Sequence, residues 1–170
     1  MEQYRFRVTE DMNDVMKEEG VKMLVSSRPD SEAMITMFRI KDGPVVPAFL
    51  IVTGEHTDFA LRIYKVISDI PDEKYSRMLE AINRLNAVSD YLCYSLAEDD
   101  SIQIEYDFPK LRSSREASRL VLHIYKHVSE VIDSHYSFLW TALNTDIPLE
   151  EAEEQISKKR SRAAEKFREA

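Results

Sequence analysis

The apolar positions near the start of the chain first follow the period of a helix. Thr9 can cap a helix with an acidic first turn, and Gly20 is a typical place for that helix to stop. The apolar residues between them recur every three or four positions and are Met12, Val15 and Met16. They form one stripe, so the sequence predicts a short amphipathic helix that buries one side.

After Gly20 the apolar period shortens to two, as in strands. Turn-forming residues such as Pro29, Gly43 and Gly54 separate the apolar runs. The four runs cover 21–25, 34–40, 47–53 and 59–65. Because their connections are short, they predict an antiparallel meander of four strands.

The next elements predict a helix that covers this sheet and a second strand pair. Pro71 and Asp72 open the helix, whose apolar residues recur every three or four positions up to Leu85. The runs 91–96 and 102–108 flank an acidic turn. In the second run the apolar residues Ile102, Ile104, Tyr106 and Phe108 share one face.

A long helix and a charged terminal segment complete the chain. Ser113 and Glu116 form a capping-box pair in front of the helix. Its apolar stripe is Ala117, Leu120, Val121, Ile124, Val128, Val131, Ile132, Phe138 and Leu139. Pro148 suits the first position of a further helix. We therefore expect an α+β fold: one domain over 1–145, with an antiparallel sheet flanked by helices, and a charged helix or tail over 146–170.

Composition and charge narrow the classes of partner. The chain has 170 residues and a formal net charge of -8, and such a surface repels phosphate backbones and anionic lipid headgroups. No apolar run has the length of a membrane helix, and the first residues do not have the pattern of a secretion signal. The single cysteine cannot form an internal disulfide. We expect a cytoplasmic protein that binds neither nucleic acid nor membrane.

Three histidines are the first candidates for chemistry. His123 and His127 are four residues apart on the long helix, a spacing that can place two imidazoles on one metal ion. No third ligand is evident, so surface histidines are the favoured interpretation. His135 falls inside the apolar stripe, where a hydrogen-bonded core histidine is favoured over a catalytic base.

The remaining reactive residues are scattered. Cys93 has no basic neighbour in sequence that would lower its pKa, and we interpret it as a small core residue. Adjacent carboxylates at 99–100, 150–151 and 153–154 fit a turn and a solvated helix. The three glycines are far apart, so no glycine-rich phosphate loop is present. We expect no catalytic, cofactor or metal site.

Aromatic residues of the second strand pair could in principle stack nucleic acid bases. The aromatic residues in question are Tyr91, Tyr94, Tyr106 and Phe108. The charges around them are acidic and would repel the nucleic acid.

The terminal segment has a thin apolar seam of Leu149, Ala152, Ile156, Ala163 and Phe167. One interpretation is a solvated helix held by charge pairs about four residues apart. The other is a dimer seam or a partner-binding helix. The solvated helix is favoured.

In one stretch of the chain a helix that carries Asn83 and Asn86 leads into a strand, an acidic turn and a second strand; its sequence is LEAINRLNAVSDYLCYSLAEDDSIQIEYDFP. This stretch resembles the YbjN family of bacterial domains. That family shares the fold of class I type III secretion chaperones, and the resemblance covers about residues 8–143. It implies an α-β-β-β-α-β-β-α pattern, frequent dimers and a chaperone or adaptor role without catalytic residues. The apparent fourth strand at 59–65 departs from the pattern.

The sequence therefore predicts a non-enzymatic protein-binding module, chaperone- or adaptor-like, whose partner is another protein or a second copy in a homodimer. The partner-binding residues are unknown from sequence. One alternative is a small-ligand binder or enzyme with a site built around His135, Cys93 and the tyrosines. Another is a structural subunit of a larger assembly that uses its terminal helix.

Overall fold

The computed structural model describes residues 6–53, 58–89, 92–108 and 114–154, and it has the predicted α+β class. The elements in chain order are α1 Arg7–Glu18, β1 Leu24–Ser27, β2 Ser31–Arg39, β3 Val45–Thr53, β4 Asp58–Ile67, α2 Asp72–Val88, β5 Cys93–Leu96, β6 Ile102–Asp107 and α3 Ser114–Asn144. A fourth helix, α4, is described over 149–154. Within these residues, every helix is too short or too polar to cross a lipid bilayer.

The six strands form one antiparallel sheet in the order β1-β2-β3-β4-β6-β5. The predicted four-strand meander is confirmed, so the sheet has one strand more than the pattern implied by the family resemblance. The second strand pair extends the meander through β6. The β4–β6 register shifts between Ile63 and Ile67, and Lys65 between them has a φ of 59°, as expected at a bulge.

The core lies between one face of this sheet and the helices. Alternate residues of β3, from Val46 to Val52, are buried there, and the intervening residues are not. Met12 and Met16 of α1 are fully buried, as are Val121 and Leu139 of α3. The predicted apolar stripes of both helices are therefore confirmed as core-facing surfaces.

The end of α1 corrects one predicted boundary. Gly20 has a φ of +75°, the left-handed conformation that a glycine stop requires. The amide of Gly20 donates to the Lys17 carbonyl, and the amide of Val21 donates to the Met16 carbonyl. Val21 therefore belongs to the end of the helix, which is why β1 begins at Leu24 and not at Val21.

The start of α1 corrects a second prediction. The helix begins at Arg7, and the residue at the capping position is Phe6, not Thr9. Thr9 lies inside the helix, fully buried, and its hydroxyl has no hydrogen-bond partner within the described residues. The amide of Phe6 donates to the carboxylate of Glu32 at 3.1 Å. This contact anchors the residue that precedes the helix to the β1–β2 hairpin. Capping by Thr9 was therefore a wrong prediction.

The described part of the terminal segment is joined to α2 by ion pairs, and two of its apolar side chains are buried. Lys74 pairs with Asp146 at 2.6 Å, and Arg84 pairs with Glu153 at 3.1 Å and with Glu150. Leu149 and Ala152 are buried. These pairs join separate elements, unlike the pairs within a solvated helix that the sequence favoured.

Several predictions fall outside the described residues. Residues 155–170 contain the rest of the seam, including Ile156, Ala163 and Phe167. Ser113 of the capping pair, Tyr91, and the break at 54–56 also lie outside them. The boundary between 145 and 146 stays a prediction.

Candidate functional site

The second face of the sheet carries apolar side chains that do not belong to the core. We call it the open sheet face, because the described helices contribute to the core on the opposite side. One row of directly paired residues crosses all six strands, in the spatial order Leu24, Ile35, Phe49, Arg62, Glu105 and Cys93. The row is apolar over β1 to β3 and polar over β4, β6 and β5.

The apolar half of the open sheet face consists of Leu24, Ile35, Met37, Val45, Phe49 and Ile51. Leu24, Met37 and Val45 expose 73%, 59% and 44% of their surface. Five of these residues are neighbours, because each lies opposite another of them or two positions along the same strand. Val45 is connected to them through Pro47, which lies two positions along β3 and opposite Met37. Contiguous exposed apolar area of this kind marks interaction sites more often than single exposed residues do.

The polar half is organised by Arg62. Its guanidinium pairs with Asp107 at 2.7 Å and with Glu105 at 3.4 Å, and it donates to the carbonyl of Leu61 at 3.0 Å. An arginine held by several partners has little freedom to reach over the neighbouring apolar surface. The result is an apolar surface with a charged rim on one side, the composition typical of protein interfaces.

The two edges of the sheet differ in how their backbone groups are satisfied. At β5 the side chain of Asn86 bonds both backbone groups of Tyr94: Oδ1 accepts from the amide at 2.7 Å, and Nδ2 donates to the carbonyl at 2.9 Å. This blocks the β5 edge. At β1 no residue of the described chain hydrogen-bonds the outer edge from beyond the sheet. The unblocked edge therefore adjoins the apolar half of the open sheet face.

The histidines occupy the positions that the sequence favoured. His135 is buried, and its Nδ1 atom lies 2.7 Å from the hydroxyl oxygen of Tyr94. His123 and His127 are exposed on α3. Among the described residues, no group of three or more histidine, cysteine or acidic side chains is placed to hold a metal ion.

Cys93 corrects the prediction of a core cysteine. It is exposed, because the alternation of β5 sends Leu92 and Tyr94 into the core and Cys93 to the open sheet face. The error came from treating an edge strand as buried on both sides. Cys93 is paired with Glu105 across the β5–β6 ladder, at the polar end of the row.

The paired carboxylates lie apart and in ordinary structural roles. A hydrogen bond from Ser101 at 2.5 Å, and secondarily Lys65, lower the pKa of Asp99. The pKa of Glu150 is lowered mainly by a hydrogen bond between its carboxylate and its own backbone, and to a smaller extent by Arg84. Neither group belongs to a cleft that would give paired acids different proton affinities.

The aromatic residues of β5 and β6 face the core. Tyr94 and Phe108 are buried, and the rings of Tyr106 and Phe108 meet edge to face with centroids 4.6 Å apart. Because Tyr94 and Phe108 are buried, they offer no exposed ring face on which a base could stack.

Sequence reasoning missed two features. The buried carboxylate of Glu32 was not predicted, because nothing in the neighbouring sequence indicates that Phe6 and Ser27 donate hydrogen bonds to it. The apolar half of the open sheet face was also missed, although apolar residues on both faces of 45–52 were a signal for it.

None of the known protein-family models matches this sequence, and no curated protein matches it. The function is therefore inferred from the residues and their geometry alone.

Proposed function

We propose that this chain is a non-enzymatic protein-binding module, adaptor- or chaperone-like, that uses the apolar half of the open sheet face as its binding surface. The single observation that carries the proposal is the cluster of exposed apolar residues on β1 to β3, beside a strand edge that no described residue blocks. The partner is another protein or a second copy of the chain. We further propose that the protein is cytoplasmic and that it forms a homodimer when no other partner is bound.

The chemistry of the surface favours a protein partner over a lipid or a nucleic acid. Its apolar centre would be removed from water by another apolar surface, at roughly 25 cal/mol for each Å² buried. Its rim carries Glu105 and Asp107, which repel phosphate. The free edge of β1 could extend the ladder into a strand of the partner, a common mode of peptide recognition.

The resemblance to the YbjN family is consistent with this proposal and remains a prediction. Domains of that kind are chaperones or adaptors, and the extra strand β4 is the point at which this chain departs from them. A twofold dimer through the open sheet face would bring the same apolar residues of both copies together, as a symmetric interface requires.

Sedimentation velocity over a concentration series, together with capture of partners from a native extract, tests the proposal with two matched variants. Met37→Glu places a carboxylate in the middle of the apolar half. Leu79→Glu makes the same change at an exposed residue of α2, away from this surface. We expect Met37→Glu to weaken self-association or partner capture about tenfold or more, because an unpaired charge is costly to bury.

Leu79→Glu should behave like the unaltered chain. If both variants weakened self-association and partner capture equally, or if neither variant did, the open sheet face would not be the binding surface. If the chain were monomeric at every concentration but still captured a partner in a way that depends on Met37, protein binding would be supported and the homodimer would be excluded.

A further inference from the structure

A groove on the helical side of the molecule has a lining that the proposed protein-binding surface does not use. It lies between the end of α2, the residue that precedes β5, and one side of α3, and its volume is about 440 Å³. This is within the range of clefts that bind small molecules. We call it the histidine groove, after His123, His127 and His135, which line it together with Val88, Leu92 and Val128.

The apolar part of the histidine groove includes one strongly exposed residue. Val88, in the last turn of α2, exposes 69% of its surface. Opposite it, Leu92 and Val128 present buried apolar side chains. An aliphatic group lying in the groove would remove the exposed surface of Val88 from water and would rest on Leu92 and Val128, which are already buried.

The described polar side chains of the groove are mainly histidines. Among the described residues that line the groove none is acidic, and three of the four histidines of the chain belong to its lining. His123 and His127 lie on the same side of α3, one turn apart, and make no hydrogen bond or ion pair within the described part of the chain. An imidazole can donate hydrogen bonds and can carry positive charge.

A metal ion fits this arrangement poorly. The Nδ1 atom of His135 is engaged by Tyr94, and the described residues contain no set of three ligands. Two exposed imidazoles beside an apolar wall instead suit a ligand with an anionic head and an aliphatic body.

We propose that the histidine groove binds a small amphipathic carboxylate, with its carboxylate held between His123 and His127 and its aliphatic chain along Val88, Leu92 and Val128. This site is separate from the open sheet face, so the proposal does not depend on the protein-binding proposal and is tested independently of it. It gives a location to the alternative of a small-ligand binder, which the sequence had placed around His135, Cys93 and the tyrosines. Cys93 takes no part, because it lies on the open sheet face.

Octanoate is the probe, and the full-length chain is titrated with it while the imidazole signals are followed by NMR. Octanol supplies the same aliphatic chain without the charge, and acetate supplies the carboxylate without the chain. We expect saturable shifts of the His123 and His127 signals with octanoate, and binding at least about tenfold weaker for both control compounds.

The matched variants are His123→Gln with His127→Gln, and Lys126→Gln as the control. Lys126 is exposed on the same helix but pairs with Glu19, away from the groove. The double variant should lose octanoate affinity about tenfold or more, with unchanged circular dichroism, and the control should not. Equal binding of octanol and octanoate, unaltered affinity in the double variant, or no saturable binding would each overturn the proposal.

Discussion

The hydroxyl oxygen of Tyr94 lies 2.7 Å from the Nδ1 atom of His135, and both side chains are buried in the core. The contact joins edge strand β5 to the long helix α3. The backbone of Tyr94 is bonded on its other side by Asn86 of α2. One residue of a four-residue strand is thus tied to two helices, which explains how so short an edge strand keeps its place.

Tyr94→Phe removes the hydroxyl from this buried pair and keeps the ring. We expect the free energy of unfolding to fall by about 1–3 kcal/mol, because a buried polar group loses a hydrogen-bond partner. Urea unfolding measures the change. Tyr64→Phe is the control, since Tyr64 lies on the open sheet face and packs its ring on Phe49. Equal loss in both variants would show that the Tyr94 contact contributes nothing specific.

The ion-paired contact of residues 146–154 with α2 should weaken in acid. Lys74 lowers the pKa of Asp146 below its usual 3.8, and a backbone contact and Arg84 lower that of Glu150 below its usual 4.5. A carboxyl group whose pKa is lower in the folded than in the unfolded state stabilises the fold at pH values above its unfolded pKa. This stabilisation is lost as the pH falls through the pKa of the folded state. Stability should therefore decline from about pH 4.5 downward.

The double variant Asp146→Asn with Glu150→Gln tests the cause of that decline. Its unfolding free energy, measured by urea unfolding at each pH, should depend less steeply on pH in the acid range than that of the unaltered chain. Hydrogen exchange of the amides in 149–154 locates the effect. An unchanged acid slope in the variant would assign the decline to other carboxyls.

Cys93 should be modified in the folded protein. It is exposed on the polar end of the open sheet face, so a maleimide reagent should reach it without unfolding. It is the only cysteine in the chain, so mass spectrometry reports its modification directly. Modification that begins only in denaturant would contradict the orientation of β5.

The fold was predictable where the apolar period was unbroken. The stripe of α3 and the alternation of β6 fixed both the element type and the buried side, because the two periods are distinct. Boundaries failed where the deciding contact came from elsewhere in the chain. Phe6 replaces Thr9 at the start of α1 because its amide bonds Glu32, 26 residues away.

The candidate surfaces were less predictable than the fold. His135 could be assigned to the core from its place in the stripe, but its partner Tyr94 is 41 residues away. The apolar half of the open sheet face depends on which side of the sheet the helices cover, and apolar residues on both sides of β3 leave that choice open. Cys93 was misplaced for the same reason.

Oxidative footprinting of the methionines tests the central claim most directly. Met37 exposes 59% of its surface on the open sheet face, whereas Met12, Met16, Met34 and Met78 are fully buried and serve as internal controls. If this surface binds a protein, Met37 should oxidise readily in the dilute free chain and be protected in the homodimer or the captured complex, while the four buried methionines stay unreactive in both. Equal oxidation of Met37 in the free chain and in the assembled state would contradict the account.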